Sequence, residues 1–112
     1  MSDVLVVGRL LAIVRKYTKT VHLLVSYCRM NKIQIRDAIR EAVFKYVSKS
    51  VGSNKYALIE KALGHDVCEW ISGYSNPYEV IAFAIDCYVR DVVLPKFMKI
   101  GGELGGKVVE VT

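Results

Sequence analysis

Residues 35–47 read IRDAIREAVFKYV, and residues 77–89 read PYEVIAFAIDCYV. Laid over one another at a shift of 42 positions, Ala42 falls on Ala84, Tyr46 on Tyr88 and Val47 on Val89. Ile39 meets Ile81, Val43 meets Ile85 and Asp37 meets Glu79. Upstream, Val25 meets Val67 and Val21 meets Leu63. The second half of the chain therefore repeats the first, and a period of this size marks two copies of one small unit. Each copy reads as a short extended segment, a helix, a tight turn and a second helix.

Working outward, residues 10–17 suit two states. As a strand they place Leu11, Ile13 and Arg15 on one face and Ala12, Val14 and Lys16 on the other. As a helix they group Leu10, Leu11, Val14 and Tyr17. Thr18 or Thr20 can cap a helix running to about Met30, with Val21, Leu24, Val25 and Cys28 as its apolar stripe. Asn31-Lys32 is the turn. A second helix follows from about Gln34 to Ser48. Residues 48–53 (SKSVGS) read as a linker. In the second copy, residues 54–60 (NKYALIE) are the extended candidate. A helix then spans about 61–72, with Gly73 suited to the left-handed position that ends it. Asn76-Pro77-Tyr78-Glu79 is the clearest local signal, with Asn as cap, Pro at the first helical position and Glu at the third. Pro95 is expected to end that helix. The predicted units are 1–50 and 51–95, followed by a flexible C-terminal arm over 96–112 that contains GGELGG.

The chain has 112 residues, of which 53% are hydrophobic. A unit of roughly 40 residues cannot bury enough apolar surface to stand alone, so the copies must share a core with each other, with a second chain, or both. Net charge is +5, unevenly spread: residues 1–50 carry +7 and residues 51–112 carry −2. That asymmetry points to an acidic partner for the first half. Cys28, Cys68 and Cys87 form no CxxC pair and read as buried, reduced thiols. No apolar run approaches the roughly 18 residues that span a bilayer. Val4–Val14 holds Gly8 and Arg9 and lacks the marks of a signal peptide. An intracellular protein with no membrane partner is expected.

The order of segments, together with GYSNPYEVI (73–81) and Ala84, Ile85 and Tyr88, and with RDAIREAV (36–43) and Tyr46, resembles the ribbon-helix-helix family of DNA-binding proteins. The resemblance covers about residues 10–48 and 53–92. Tandem two-unit members occur among plasmid and archaeal viral regulators, and the chain is most similar to the latter. The resemblance implies a mainly α fold with short β ribbons, the helices of tandem ribbon-helix-helix units forming a shared core. It also implies a two-stranded ribbon in the major groove, a homodimer or higher oligomer, and a place in the cytoplasm of a host cell. The chain departs from the family pattern in its long, apolar first strand candidate, in the single basic residue of its second, and in Gln34 at the first copy's capping position.

A ribbon fits the major groove, where base edges carry a distinct donor and acceptor code. Arg15 is the leading base reader, with Lys16 and Thr18 next and Lys55 and Tyr56 their counterparts in the second unit. Tyr56 reads as readily as core. Arg9 and Lys19 flank the ribbon as phosphate contacts, with Asn54 in the second unit. The N-termini of the second helices add Lys32, Ser75 and Asn76 near the phosphate backbone.

Other chemistry is poorly supplied. His22 and His65 have no acidic or cysteine partner at useful spacing. Asp66, Glu69 and Glu79 form no catalytic pair, and GGELGG lacks the Lys-Ser/Thr of a phosphate loop. No enzymatic activity, cofactor, metal or small-molecule substrate is expected. The sequence reads as a sequence-specific double-stranded DNA-binding transcription regulator. The competing reading is a helical interaction or assembly protein, or an antitoxin-like partner that docks through residues 96–112.

Overall fold

The computed structural model describes residues 2–97. Helices α1 (Ser2–Val14), α2 (Val21–Asn31), α3 (Ile35–Tyr46), α4 (Ala57–Leu63), α5 (His65–Trp70) and α6 (Pro77–Tyr88) follow in order. A π-helical segment, Val89–Val93, prolongs α6, and residues 94–97 continue as helix. No strand occurs among the described residues. The expected class, mainly α with short β ribbons, is thereby corrected to all-helical, and no ribbon exists at either candidate segment. Most of the expected C-terminal arm, from residue 98 onward, lies outside the described residues.

The first ribbon candidate is helical because of which side chains are enclosed. Leu10, Ala12 and Val14 would share one face of a strand. Leu10 and Val14 are fully buried while Ala12 between them is exposed. Val7, Leu10 and Val14 instead line one side of α1, at the three- and four-residue spacing of a helix, and α1 packs on α4 and α6. The second candidate divides at Tyr56. Residues 54–56 are irregular, and Ile59, Ala62 and Leu63 form the buried stripe of α4.

The centre of the molecule is the pairing of α3 with α6, its most extensive helix–helix contact. The two helices are 12 residues each and start 42 positions apart, at Ile35 and Pro77. Ile39, Ala42 and Val43 are fully buried, as are their counterparts Ile81, Ala84 and Ile85. The repeat is thus a repeat of core-facing positions, and the small Ala42 and Ala84 side chains leave room for the helices to approach. One hydrophobic cluster runs through both halves of the chain. Burying a Leu or Ile in it contributes about 1.5–3 kcal/mol each, so the halves stabilise each other through it.

At the start of α6 the Asn76 side chain accepts from the Glu79 N–H, with Pro77 in the first helical turn. Pro95 does not end the helix. Its ring would clash with the carbonyl four residues back. The π-helical segment resets the ladder just ahead of it, the Leu94 N–H donating to the Val89 carbonyl.

The expected linker is strapped down. Ser50 N–H donates to the Trp70 carbonyl at 3.0 Å, the Trp70 indole N–H to Val47 O at 3.1 Å, and Tyr74 OH to Ser48 O at 2.6 Å. Gly73 does not adopt the left-handed conformation expected of it; among the described glycines only Gly64 has positive φ. Gly73 is needed for close approach instead. A Cβ there would lie 2.5 Å from Val51 O, and one at Gly52 would lie 2.5 Å from Gly73 Cα.

Candidate nucleic-acid interface

From Val4 to Arg36 the chain carries Arg9, Arg15, Lys16, Lys19, Arg29, Lys32 and Arg36 and no Asp or Glu. All seven are exposed. None takes part in an ion pair among the described residues, whose ion pairs involve Arg40, His65 and Arg90. The remaining cations of the first half are engaged. Arg40 is bound to Asp66, while Lys45 and Lys49 lie over the rings of Tyr46 and Trp70 at 5.4 and 5.7 Å.

Helix α2 organises the free set. Its core face is Val21, Leu24, Tyr27 and Cys28. The opposite face then presents His22, Ser26 and Arg29, spaced four and three apart and all exposed, which places them in line along the helix. Lys19 precedes this line and Lys32 follows it. With a rise of about 1.5 Å per residue, the ridge from His22 to Lys32 runs roughly 15 Å. At its N-terminal end Arg15, Thr18, Lys19, Val21 and His22 line one depression of about 350 Å³. Thr20 occupies the capping position of α2 but makes no side-chain capping bond, and the Leu23 N–H donates instead to the Thr20 carbonyl at 3.1 Å.

Lys32 ends α2 in the left-handed conformation, at φ 56°. It is the sole non-glycine residue with positive φ among those described. Its N–H donates to Arg29 O, and the Ile33 N–H to Cys28 O at 2.9 Å. This is a Schellman closure, where glycine is the usual residue. A lysine there carries a backbone cost of about 1–2 kcal/mol.

The sequence-derived site residues separate into groups. Arg15 and Lys19 come together in the depression at the α1–α2 corner, Lys16 is exposed in the turn between them, and Arg9 lies on α1 six residues before Arg15. Ser75 and Asn76 are brought to that corner as well, since Asn76 Nδ2 donates to Tyr17 Oη at 3.3 Å. Thr18 is 4% exposed and gives its proton to Asp86, so it faces the interior rather than a base edge. Thr20 Oγ1 donates to the same carboxylate oxygen at 2.6 Å. Tyr56 packs edge-on against Tyr78 at 6.3 Å and donates to Tyr74 O at 3.3 Å, a structural role.

Asn54 and Lys55 line a separate depression of about 290 Å³ that also holds Glu60, His65 and Glu69. Its carboxylates disfavour phosphate there. His65 has the partners that its sequence context concealed: Nδ1 lies 2.7 Å from Glu60 Oε2 and Nε2 3.0 Å from Glu69 Oε2. The hydrogen bond to Glu60 and the charge of Glu69 raise its pKa above the ordinary imidazole value. The i+4 spacing to Glu69 is a helical signal visible in the sequence; Glu60 joins only because α4 and α5 meet at Gly64.

The cysteines are free and buried. Burial pushes the Cys28 thiol up to about 11, leaving it protonated and unreactive at neutral pH. Among the described residues no three His, Cys, Asp or Glu side chains converge as a metal site requires. No described helix is long and apolar enough to cross a membrane. No protein-family model, curated protein or solved structure matches the chain.

Proposed function

We propose that this chain is a double-stranded DNA-binding regulator, without enzymatic activity, that grips the phosphate backbone through the basic ridge of α2 and the α1–α2 corner. The contact is helical. The observation that carries the reading is the acid-free stretch from Val4 to Arg36, with seven exposed cations outside any ion pair among the described residues. Cations left free in this way release condensed counterions when they meet DNA, which is the main source of affinity for a duplex. Lys32 adds support: a lysine held where glycine would be easier keeps its charge at the end of the ridge. Arg15, Lys16, Lys19, Arg29 and Lys32 are the assigned contacts.

The test is binding to a mixed-sequence duplex as a function of salt, for the wild type and for Arg15→Ala/Lys19→Ala. Wild-type affinity should fall steeply as salt rises. The slope of log K on log salt should be shallower in the variant by roughly two phosphate contacts, at about 0.9 per contact. Lys55→Ala, beside Glu60 and Glu69, should leave the slope unchanged. Absence of binding at low salt, or equal slopes for wild type and double variant, would overturn the reading. Competition between random and selected duplexes then reads the sequence preference that a regulator needs.

A further inference from the structure

We propose that the exposed apolar face of α1 is the seat of a second copy of this chain, forming a two-fold dimer. Between Asp3 and Arg15, Arg9 is the one charged residue of α1. A helix apolar on nearly all sides is ordinarily enclosed. Here the side carrying Val7, Leu10 and Val14 is covered and Val6 and Leu11 are half-buried against the core, whereas Val4 is 74% exposed and Leu5 72%. Beside them runs a groove of about 550 Å³ lined by Val4, Val7, Gly8, Leu11 and Val25. Its far rim is the start of α3, with Gln34, Ile35, Arg36 and Asp37.

Gly8 makes the covering surface specific. Glycine in mid-helix destabilises by about 0.5–1 kcal/mol relative to alanine. A Cβ built on Gly8 meets nothing within 4 Å, so packing within the chain does not call for its small size. A neighbouring molecule that comes close to the backbone would.

Two features select a second copy over an unrelated partner. Val4 projects from the edge of the groove that it lines, so the face offers both an apolar projection and a recess for its own duplicate. The rim carries Arg36 next to Asp37, opposite charges that join no ion pair among the described residues. In an isologous contact each residue of a pair meets the other on the partner, so the same rim turned through two-fold symmetry neutralises both. A partner of one charge sign would satisfy one and repel the other. This inference stands independently of DNA binding.

The experiment is sedimentation of the full chain without nucleic acid, from low to high micromolar concentration, for the wild type, Leu5→Glu and Gly8→Leu. Far-UV circular dichroism verifies that each variant keeps its helices. The wild type should dimerise with concentration. Both variants should weaken the dimer at least about tenfold, since each places a charge or bulk in a contact repeated on both copies. Thermal midpoints should rise with concentration for the wild type and stay flat for the variants. A wild type that stays monomeric throughout overturns the proposal, whatever else occupies the groove. So does a dimer that folded Leu5→Glu and Gly8→Leu leave as tight as the wild type.

Discussion

The hydroxyl of Thr18 donates to the carboxylate of Asp86, 68 residues further along the chain, and pins the α1–α2 corner to the last turn of α6. Thr20 donates to the same oxygen and its N–H reaches Thr18 Oγ1 at 3.2 Å. Each hydroxyl has one proton, and both are given to Asp86. A hydrogen bond to a charged group contributes about 1.5–3 kcal/mol. Thr18→Val keeps the shape of the side chain and removes the donor, so it should cost an amount in that range in urea denaturation. Below its midpoint the variant should bind duplex DNA with the wild-type salt slope, because Thr18 is enclosed and cannot reach a base edge.

Lys32→Gly separates backbone from charge. At φ 56° glycine pays no steric penalty, so the variant should gain about 1 kcal/mol of stability. It should lose affinity for DNA, with a salt slope shallower by about one contact. Gain of stability alongside an unchanged slope would remove Lys32 from the interface.

Arg40 holds Asp66 through two parallel bonds of 2.8 Å and also donates to the Leu63 carbonyl at the end of α4. The guanidinium brings the Asp66 carboxyl down to about 2. A depressed folded value stabilises above the ordinary aspartate pKa, and the contribution is lost as pH falls through the folded value. Acid unfolding should therefore draw on this pair progressively as pH falls from the ordinary aspartate value towards about 2, and Asp66→Asn should flatten that part of the stability profile. The pair is partly exposed, so Arg40→Met should cost only about 1 kcal/mol at neutral pH. Gly64 guards the same geometry, since at φ 108° a Cβ would lie 2.8 Å from Arg40 Nη1. Gly64→Ala should destabilise more than Arg40→Met does.

His65, between Glu60 and Glu69, titrates in the opposite sense. Its raised folded pKa means that its contribution is complete below the ordinary imidazole value and is lost as pH rises through the folded one. The C2 proton resonance should report a midpoint above that of a free imidazole. The midpoint should move down with added salt, as fits an exposed group, and Glu60→Gln should lower it most.

The offset of 42 residues between α3 and α6, the cap at Asn76-Pro77 and the charge asymmetry between the halves were all legible in the sequence. They are local or compositional. A helix start needs only neighbours a turn away, and a buried stripe repeats at the helical period whatever it packs against. The cation-rich half of the candidate interface was legible for the same reason, although its assignment to a ribbon was not correct. What was missed depends on distant partners. Asp86 claims Thr18 and Tyr78 packs on Tyr56, and neither contact leaves a mark near either residue.

The sequence by itself determined the twin amphipathic helices, their register and the excess of free positive charge before residue 37, because side-chain periodicity and ionisation are properties of short stretches. The state of residues 10–17 and 54–60 was decided by the tertiary structure. Both stretches are apolar enough for strand or helix, and propensity yields to burial in such cases. With α4 and α6 supplying a helical seat, Leu10 and Val14 go inward together while Ala12 stays exposed. A strand would have put all three on one face. The described residues hold helices and no strand because the shared core between the two halves is shaped by helices, and each ambiguous stretch takes the conformation that buries the most apolar surface against it.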